Sequence, residues 1–130
     1  IMQPVRQQCA LEFEKFEVYE LAVDLTKNVF NLLAKEKFKH EFEFSNQLKR
    51  AVLSISKNIA EGSEYNNNLQ FIRYLKYSKG SCAEVRNMLN LCSVLYREDT
   101  ENLINDCKIV SIQLSKFIDY LSSTDNKKRN

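Results

Sequence analysis

The chain has 130 residues, of which 44% are apolar and 28% charged, and its formal net charge is +2. That is enough chain to close one domain around its own core without disulfides or metals. Two glycines and one proline leave too few turn residues for strands and hairpins; no apolar run approaches the ~18 residues of a membrane span, and no leader-like start is evident, so an all-α, cytoplasmic protein is expected.

Residues 1–12, with Pro4 and no clear period, read as a lead-in. The first helix is predicted from about Phe16 to Ala34, because Val18, Ala22, Leu25, Val29 and Leu32 recur at spacings of four and three and so share a face. Residues 35–44 are charge-rich and read as a connection. Ser45 is the expected N-cap of a second helix that runs to Ala60 or Glu61, with Leu48, Val52, Ile55 and Ile59 as its apolar stripe. Gly62 follows where a left-handed C-terminal cap favours glycine. Asn67 with Gln70 resembles a capping box and opens a third helix, from about Asn68 to Tyr96. Its stripe of Phe71, Leu75, Ser78, Cys82, Val85, Leu89, Cys92 and Tyr96 is a strict seven-residue repeat. Gly80 lies inside that helix, where glycine costs about 1 kcal/mol relative to alanine, and so points to a close helix crossing. After a turn over Arg97 to Thr100, with Thr100 as N-cap, Leu103, Cys107, Val110, Leu114, Phe117 and Leu121 mark a fourth helix. Residues 122–130 read as a frayed polar tail. There is no internal repeat and no second domain, so the prediction is a single antiparallel, up-down-up-down four-helix bundle.

The chemistry-bearing residues are few. Cys9, Cys82, Cys92 and Cys107 show no C-x-x-C spacing, and three of them fall on core stripes, so four reduced thiols without metal are expected. Carboxylate-bridged metal bundles need Glu-x-x-His pairs, and the lone histidine, His40, sits in a connection. A nucleophile has no base beside it, and no phosphate-cradling glycine loop is present. No cofactor, metal or catalytic residue is expected, and the protein reads as a non-enzyme.

Two features remain. The second helix carries, beside its apolar stripe, the small polar series Gln47, Ala51, Ser54 and Asn58, where an exposed face would normally carry Lys and Glu. The third helix matches it with Tyr77, Ser81, Glu84 and Met88. This reads as a polar seam, within the bundle or between subunits, with a ligand pocket as the sharper alternative. The other feature is charge layout. Residues 45–97 carry eight basic and three acidic side chains, a net +5, whereas residues 12–34 and 98–121 each carry −3. Lys76, Lys79 and Arg86 fall on one flank of the third helix with Arg73 further round, while Arg50 and Lys57 share a face of the second. If the two helices are neighbours these six can merge into one patch able to track a phosphate backbone; the plainer reading is a solvated face.

The segment Gln47-x-x-Arg50-Ala51-x-x-Ser54-Ile55-x-x-Asn58-Ile59-Ala60-Glu61-Gly62 resembles the hallmark of the four-helix bundle proteins encoded in bacterial 23S rRNA intervening sequences. Phe71-Ile72-x-x-Leu75 with Gly80-Ser81-x-x-Glu84-Val85 is similar to that family's third-helix signature, and Val18-Tyr19-x-x-Ala22-x-x-Leu25 to its opening, with Tyr19 where tryptophan is common. The similarity runs from about Phe13 to Leu121. It implies a homopentamer and places Gln47, Ser54, Asn58, Glu61, Gly62, Ser81 and Glu84 in the family's polar motif. It also implies kinship with accessory proteins of diversity-generating retroelements, which engage nucleic acid and a reverse transcriptase. Ser78 stands where that family usually has alanine, Cys82 where it has an aliphatic residue, and the net charge is milder than in the retroelement relatives. The expectation is an oligomeric accessory protein that binds RNA or DNA through Arg50, Lys57, Arg73, Lys76, Lys79 and Arg86. The competing expectation is a protein-interaction scaffold.

Overall fold

In the computed structural model, which describes residues 12–129 and the side chains as far as Thr124, the apolar stripes become four helices: α1 (Glu17–Leu33), α2 (Phe42–Ser63), α3 (Asn68–Tyr96) and α4 (Glu101–Arg129). No strand occurs among the described residues. The expected lead-in and Cys9 lie outside them, apart from Glu12. α3 lies between α2 and α4, and α1 closes the ring by packing on α2 and α4, which makes a four-helix bundle. Contacts along neighbouring helices run in opposite order: Glu41, Ser54 and Gly62 of the α2 side meet Tyr96, Ser81 and Tyr74, and Phe71, Lys79 and Cys82 of α3 meet Phe117, Ser115 and Cys107 of α4.

The heptad positions are the core. Leu25, Leu48, Ile55, Leu75, Leu89 and Leu114 are all fully buried, each worth about 1.5–3 kcal/mol relative to exposure. Of the stripe residues, Tyr96, Leu103 and Phe117 are only half-buried, Phe117 lying edge-on to Phe16 and Phe71 at the bundle's end. Buried hydroxyls on the stripes find carbonyls: Ser78 Oγ donates to Ile55 O at 2.8 Å, and Thr100 Oγ1 to Leu89 O at 2.8 Å. A buried hydroxyl left without a partner would cost about 1–3 kcal/mol, and Ser45 Oγ is the one such side-chain atom among the described residues.

The structure departs from the sequence reading at both ends of α2, at Gly80 and in the tail. α2 begins at Phe42, with Glu41 rather than Ser45 at its N-cap. The cause is tertiary. Phe38, Phe44 and Tyr96 form an aromatic cluster with centroids 5.1–6.5 Å apart, Tyr96 Oη donates to Glu41 Oε1 at 2.8 Å, and the helix starts early enough to deliver Phe44 to that cluster. Gly62 is helical and has no positive φ; its role is space, since a Cβ there would fall 2.6 Å from Tyr74 Cβ and 3.0 Å from Phe71 Cδ1. Gly80, conversely, marks no close crossing, because a Cβ there would meet nothing within 4 Å. The tail expected to fray instead continues α4 to Arg129, there being no glycine or proline after Leu121 to stop it.

The caps of α3 and α4 follow their residues more closely. Asn67 Oδ1 accepts from Gln70 N at 3.2 Å, as an N-cap should. Thr100 is the residue before α4, but its hydroxyl is turned to Leu89, and Asp99 Oδ1 instead accepts from Glu101 N at 3.1 Å. α3 ends in Arg97 at φ 54°, ψ 43°, a left-handed conformation that disfavours side chains by about 1–2 kcal/mol. The reversal brings Glu98 to Lys35 and Lys37, the latter at 2.9 Å, and so ties the α1–α2 connection to the end of α3.

Candidate nucleic-acid interface

The polar seam forms between α2 and α3 within one chain. Ser54 and Ser81 hydroxyls meet at 2.8 Å across the two helices. Asn58 Nδ2 donates to Ser54 O at 2.8 Å and to Ser54 Oγ at 3.0 Å, so the amide fixes the hydroxyl that crosses. Ala51 and Met88 are buried beside them, and Gly62 lets the far end close. Gln47, Glu61 and Glu84 stand exposed outside this contact, Glu61 Oε2 lying 3.9 Å from Lys57 Nζ. The motif thus splits into a helix-joining half (Ser54, Asn58, Gly62, Ser81) and a solvent-facing half (Gln47, Glu61, Glu84). The seam is closed at its centre by the contact of the two serine hydroxyls.

The six candidate cations do not form one α2–α3 patch. Arg50 and Lys57 face solvent from α2. Arg73 is exposed on α3, where its Nε donates to Tyr77 Oη at 2.7 Å and its guanidinium lies 5.8 Å from the ring centre; the phenol oxygen strengthens its hold on the proton. Lys79 leans the other way, its Nζ donating to Ser115 Oγ on α4. Arg86 also faces α4, and Lys76 is exposed. The α3 cations therefore fan around the helix, from the tyrosine-bearing flank to the α4 groove. None of the four makes an ion pair with a carboxylate among the described residues, whereas Lys15, Lys35, Lys37, Lys39 and Lys57 all do.

Two neighbouring features add to the charge layout. Beside Arg73, Tyr65 stacks on Tyr74 with centroids 5.4 Å apart, and Tyr74 meets Tyr77 edge-on at 5.5 Å. Tyr65 and Tyr77 remain exposed, and open aromatic faces beside an arginine can stack an unpaired base. On the other flank, Ala83, Arg86, Asn87 and Asn90 of α3 and Ile104 and Lys108 of α4 line an open groove of about 470 Å³. Lys108 could have been found by phasing the two helices: it follows Cys107, whose stripe position faces Cys82.

The thiols do not belong to this surface. Cys82, Cys92 and Cys107 are free and buried. Cys107 Sγ donates to Cys82 O at 3.1 Å; its contact with Cys82, together with burial, pushes the Cys82 thiol far up, and burial pushes Cys92 up to about 11. His40 is exposed, 6.2 Å from the ring of Phe42. No group of three or more His, Cys, Asp or Glu is placed to hold a metal ion, and no helix is long and apolar enough to cross a membrane, among the described residues.

Among solved structures, a protein of unknown function from the S23 ribosomal protein family of Bacteroides thetaiotaomicron VPI-5482 superposes with a TM-score of 0.71 at 23% identity, over 78% of this chain and 97% of that one. At that identity the likeness speaks for the fold. No curated protein matches. The profile of the 23S rRNA-intervening sequence protein family matches residues 14–116, a span that runs from the turn before α1 through most of α4 and takes in the Ser54–Ser81 seam, and the chain belongs to that family.

Proposed function

We propose that this protein is a non-enzymatic, oligomeric accessory protein that associates with RNA through the basic surface of α3 and the adjoining face of α2. The observation that carries the reading is the unpaired charge of α3. Among the described residues Arg73, Lys76, Lys79 and Arg86 have neutral partners or none, so their charge is available to phosphates. A solvated helix face would normally balance such residues with carboxylates at i±3 or i±4. Each phosphate neutralised releases counterions, which gives an affinity that falls with salt by about −0.7 per contact on single strands and about −0.9 on duplex DNA. Four to six charges on one subunit give weak binding, and the homopentamer expected of the sequence motif multiplies them around a symmetry axis. No side chain presents a base-reading pair of the duplex kind, so the expected binding is tolerant of sequence.

The test is a titration of single-stranded RNA at low and moderate salt with the wild type and a Lys76→Glu, Lys79→Glu, Arg86→Glu triple variant, alongside light scattering for the assembly. Steep loss of binding with salt and in the variant is expected, with a mass near five chains. Absence of binding by wild type at low salt, or equal binding by the variant, selects the second reading, a scaffold for another protein. That reading has its own support at the end of α3, where Leu91, Val94 and Leu95 share a solvent-facing side with exposures of 40%, 70% and 62%; apolar groups grouped in this way mark contact surfaces. A partner such as a reverse transcriptase would be sought there.

A further inference from the structure

We propose that the α3–α4 groove is the nucleotide-holding subsite of this surface: Arg86 and Lys108 grip one phosphate of an RNA strand, and the Asn87 and Asn90 amides hydrogen-bond the attached nucleoside. The proposal rests on the RNA reading above and goes beyond it by naming the place and three residues outside the expected patch.

The groove is built from four polar side chains on two helices. Arg86, Asn87 and Asn90 come from α3 and Lys108 from α4, and they surround an open volume of about 470 Å³ with Ile104 half-buried at its side. That volume is of the size that small ligands occupy, about 300–1,000 Å³. None of the four makes a side-chain hydrogen bond or ion pair among the described residues. By contrast, Lys57 faces Glu61, Arg73 is held by Tyr77, and Lys79 by Ser115. An arginine fork and an ammonium opposite one another leave several donors without an acceptor, which is the chemistry of a phosphate site.

The surrounding charges leave that site cationic. Asp106, the closest acid to Lys108 in the α4 sequence, lines the opposite groove with Asp24 and Lys27 of α1. Glu84, two residues before Arg86, falls on the side of α3 that carries Ser81 and faces α2. The amides supply what a bare charge patch lacks. Each offers two donors and an acceptor, suited to the edge of an unstacked base and to the 2′-hydroxyl by which a site distinguishes RNA from DNA. Ala83, with only a methyl group, leaves room beside them.

The experiment uses the full-length protein and a fluorescein-labelled single-stranded RNA of about twelve nucleotides. Anisotropy is followed against salt for wild type, Lys108→Gln, Asn87→Ala with Asn90→Ala, and a Lys27→Gln control on α1. All are exposed positions, and thermal melts check that folding is unchanged. Lys108→Gln is expected to weaken binding by roughly tenfold and to lower the salt slope by about 0.7, one single-strand contact. The asparagine pair is expected to weaken binding with the slope unchanged and to narrow the preference for RNA over DNA of the same sequence. The α1 control, a cation outside the proposed surface, is expected to change binding less than Lys108→Gln does. Wild type that binds while Lys108→Gln binds equally well overturns the subsite and leaves the RNA reading standing. Wild type that does not bind at low salt removes both. A free nucleoside monophosphate that binds as tightly as the strand overturns the assignment of the groove to a strand.

Discussion

The two glycines make opposite predictions for one substitution. Both are helical, neither has a positive φ, and alanine is therefore favoured at both by about 1 kcal/mol on backbone grounds. At Gly80 that is the whole effect, because the added methyl meets nothing within 4 Å, and Gly80→Ala is expected to stabilise by about 0.5–1 kcal/mol. At Gly62 the methyl would sit 2.6 Å from Tyr74 Cβ, about 1 Å inside the 3.5–4.0 Å separation carbon atoms prefer. Tyr74 Cβ is fixed to the α3 backbone and cannot swing away, so the helices must part at the end where Ser54 and Asn58 align the seam. Overpacking of this kind costs about 1–3 kcal/mol. After the propensity gain, Gly62→Ala is expected to destabilise by about 0.5–2 kcal/mol, a fall in Tm of several degrees for a domain of this size. Urea unfolding followed by circular dichroism at fixed protein concentration measures both variants. If Gly62→Ala is as stable as Gly80→Ala, the close-approach argument is wrong.

Leu89 is fully buried, so Leu89→Ala is expected to cost about 2–5 kcal/mol in the same assay, and a loss below about 1 kcal/mol would mean that the α3 stripe is not the packed centre. Glu98 is held below its ordinary value of 4.5 by hydrogen bonds from Lys35 and then Lys37. The unfolded chain thus binds this proton more readily than the folded one, and the stabilisation is present above pH 4.5 and lost as pH falls through the lower folded value. Glu98→Gln should lower the urea midpoint at neutral pH and narrow its gap to wild type below pH 4; a constant gap would show that the contact does not titrate. With Cys92 pushed up to about 11 and Cys82 further, these two thiols carry little thiolate at neutral pH, while Cys107, which its contact with Cys82 holds below the ordinary thiol value, is shielded by burial. In a Cys9→Ser background a thiol reagent should therefore label the native protein slowly and three groups at once in denaturant, and rapid native labelling would contradict their burial.

What could be read from the sequence depended on whether one helix or two specified it. The apolar stripes are single-helix properties, and their period placed Val18 through Leu121 inside, with α3 bounded at Asn68 and Tyr96. Caps that rest on local chemistry, such as Asn67, were legible for the same reason. Features decided by a second helix were not. Ser45 looks like an N-cap until Phe38, Phe44 and Tyr96 draw the cap of α2 back by four residues to Glu41, and Gly62 looks like a terminator until Tyr74 is placed against it. The reversal at Arg97, with φ of 54°, carries no glycine or asparagine signal at all. The candidate site divides along the same line. Charge totals pointed to α3, but a projection of one helix could not tell that Arg86 and Lys79 lean to α4 while Arg73 turns to the tyrosines. The expectation of one surface rests on α2 and α3 being neighbours, which they are. In the bundle, the helix that carries most of the six cations has a different neighbour on each side, and Arg86 shares a groove with Lys108, supplied by α4, where the two helices pack together. A basic segment thus locates the binding helix, and only the packing of its neighbours decides which flank of it can hold a phosphate.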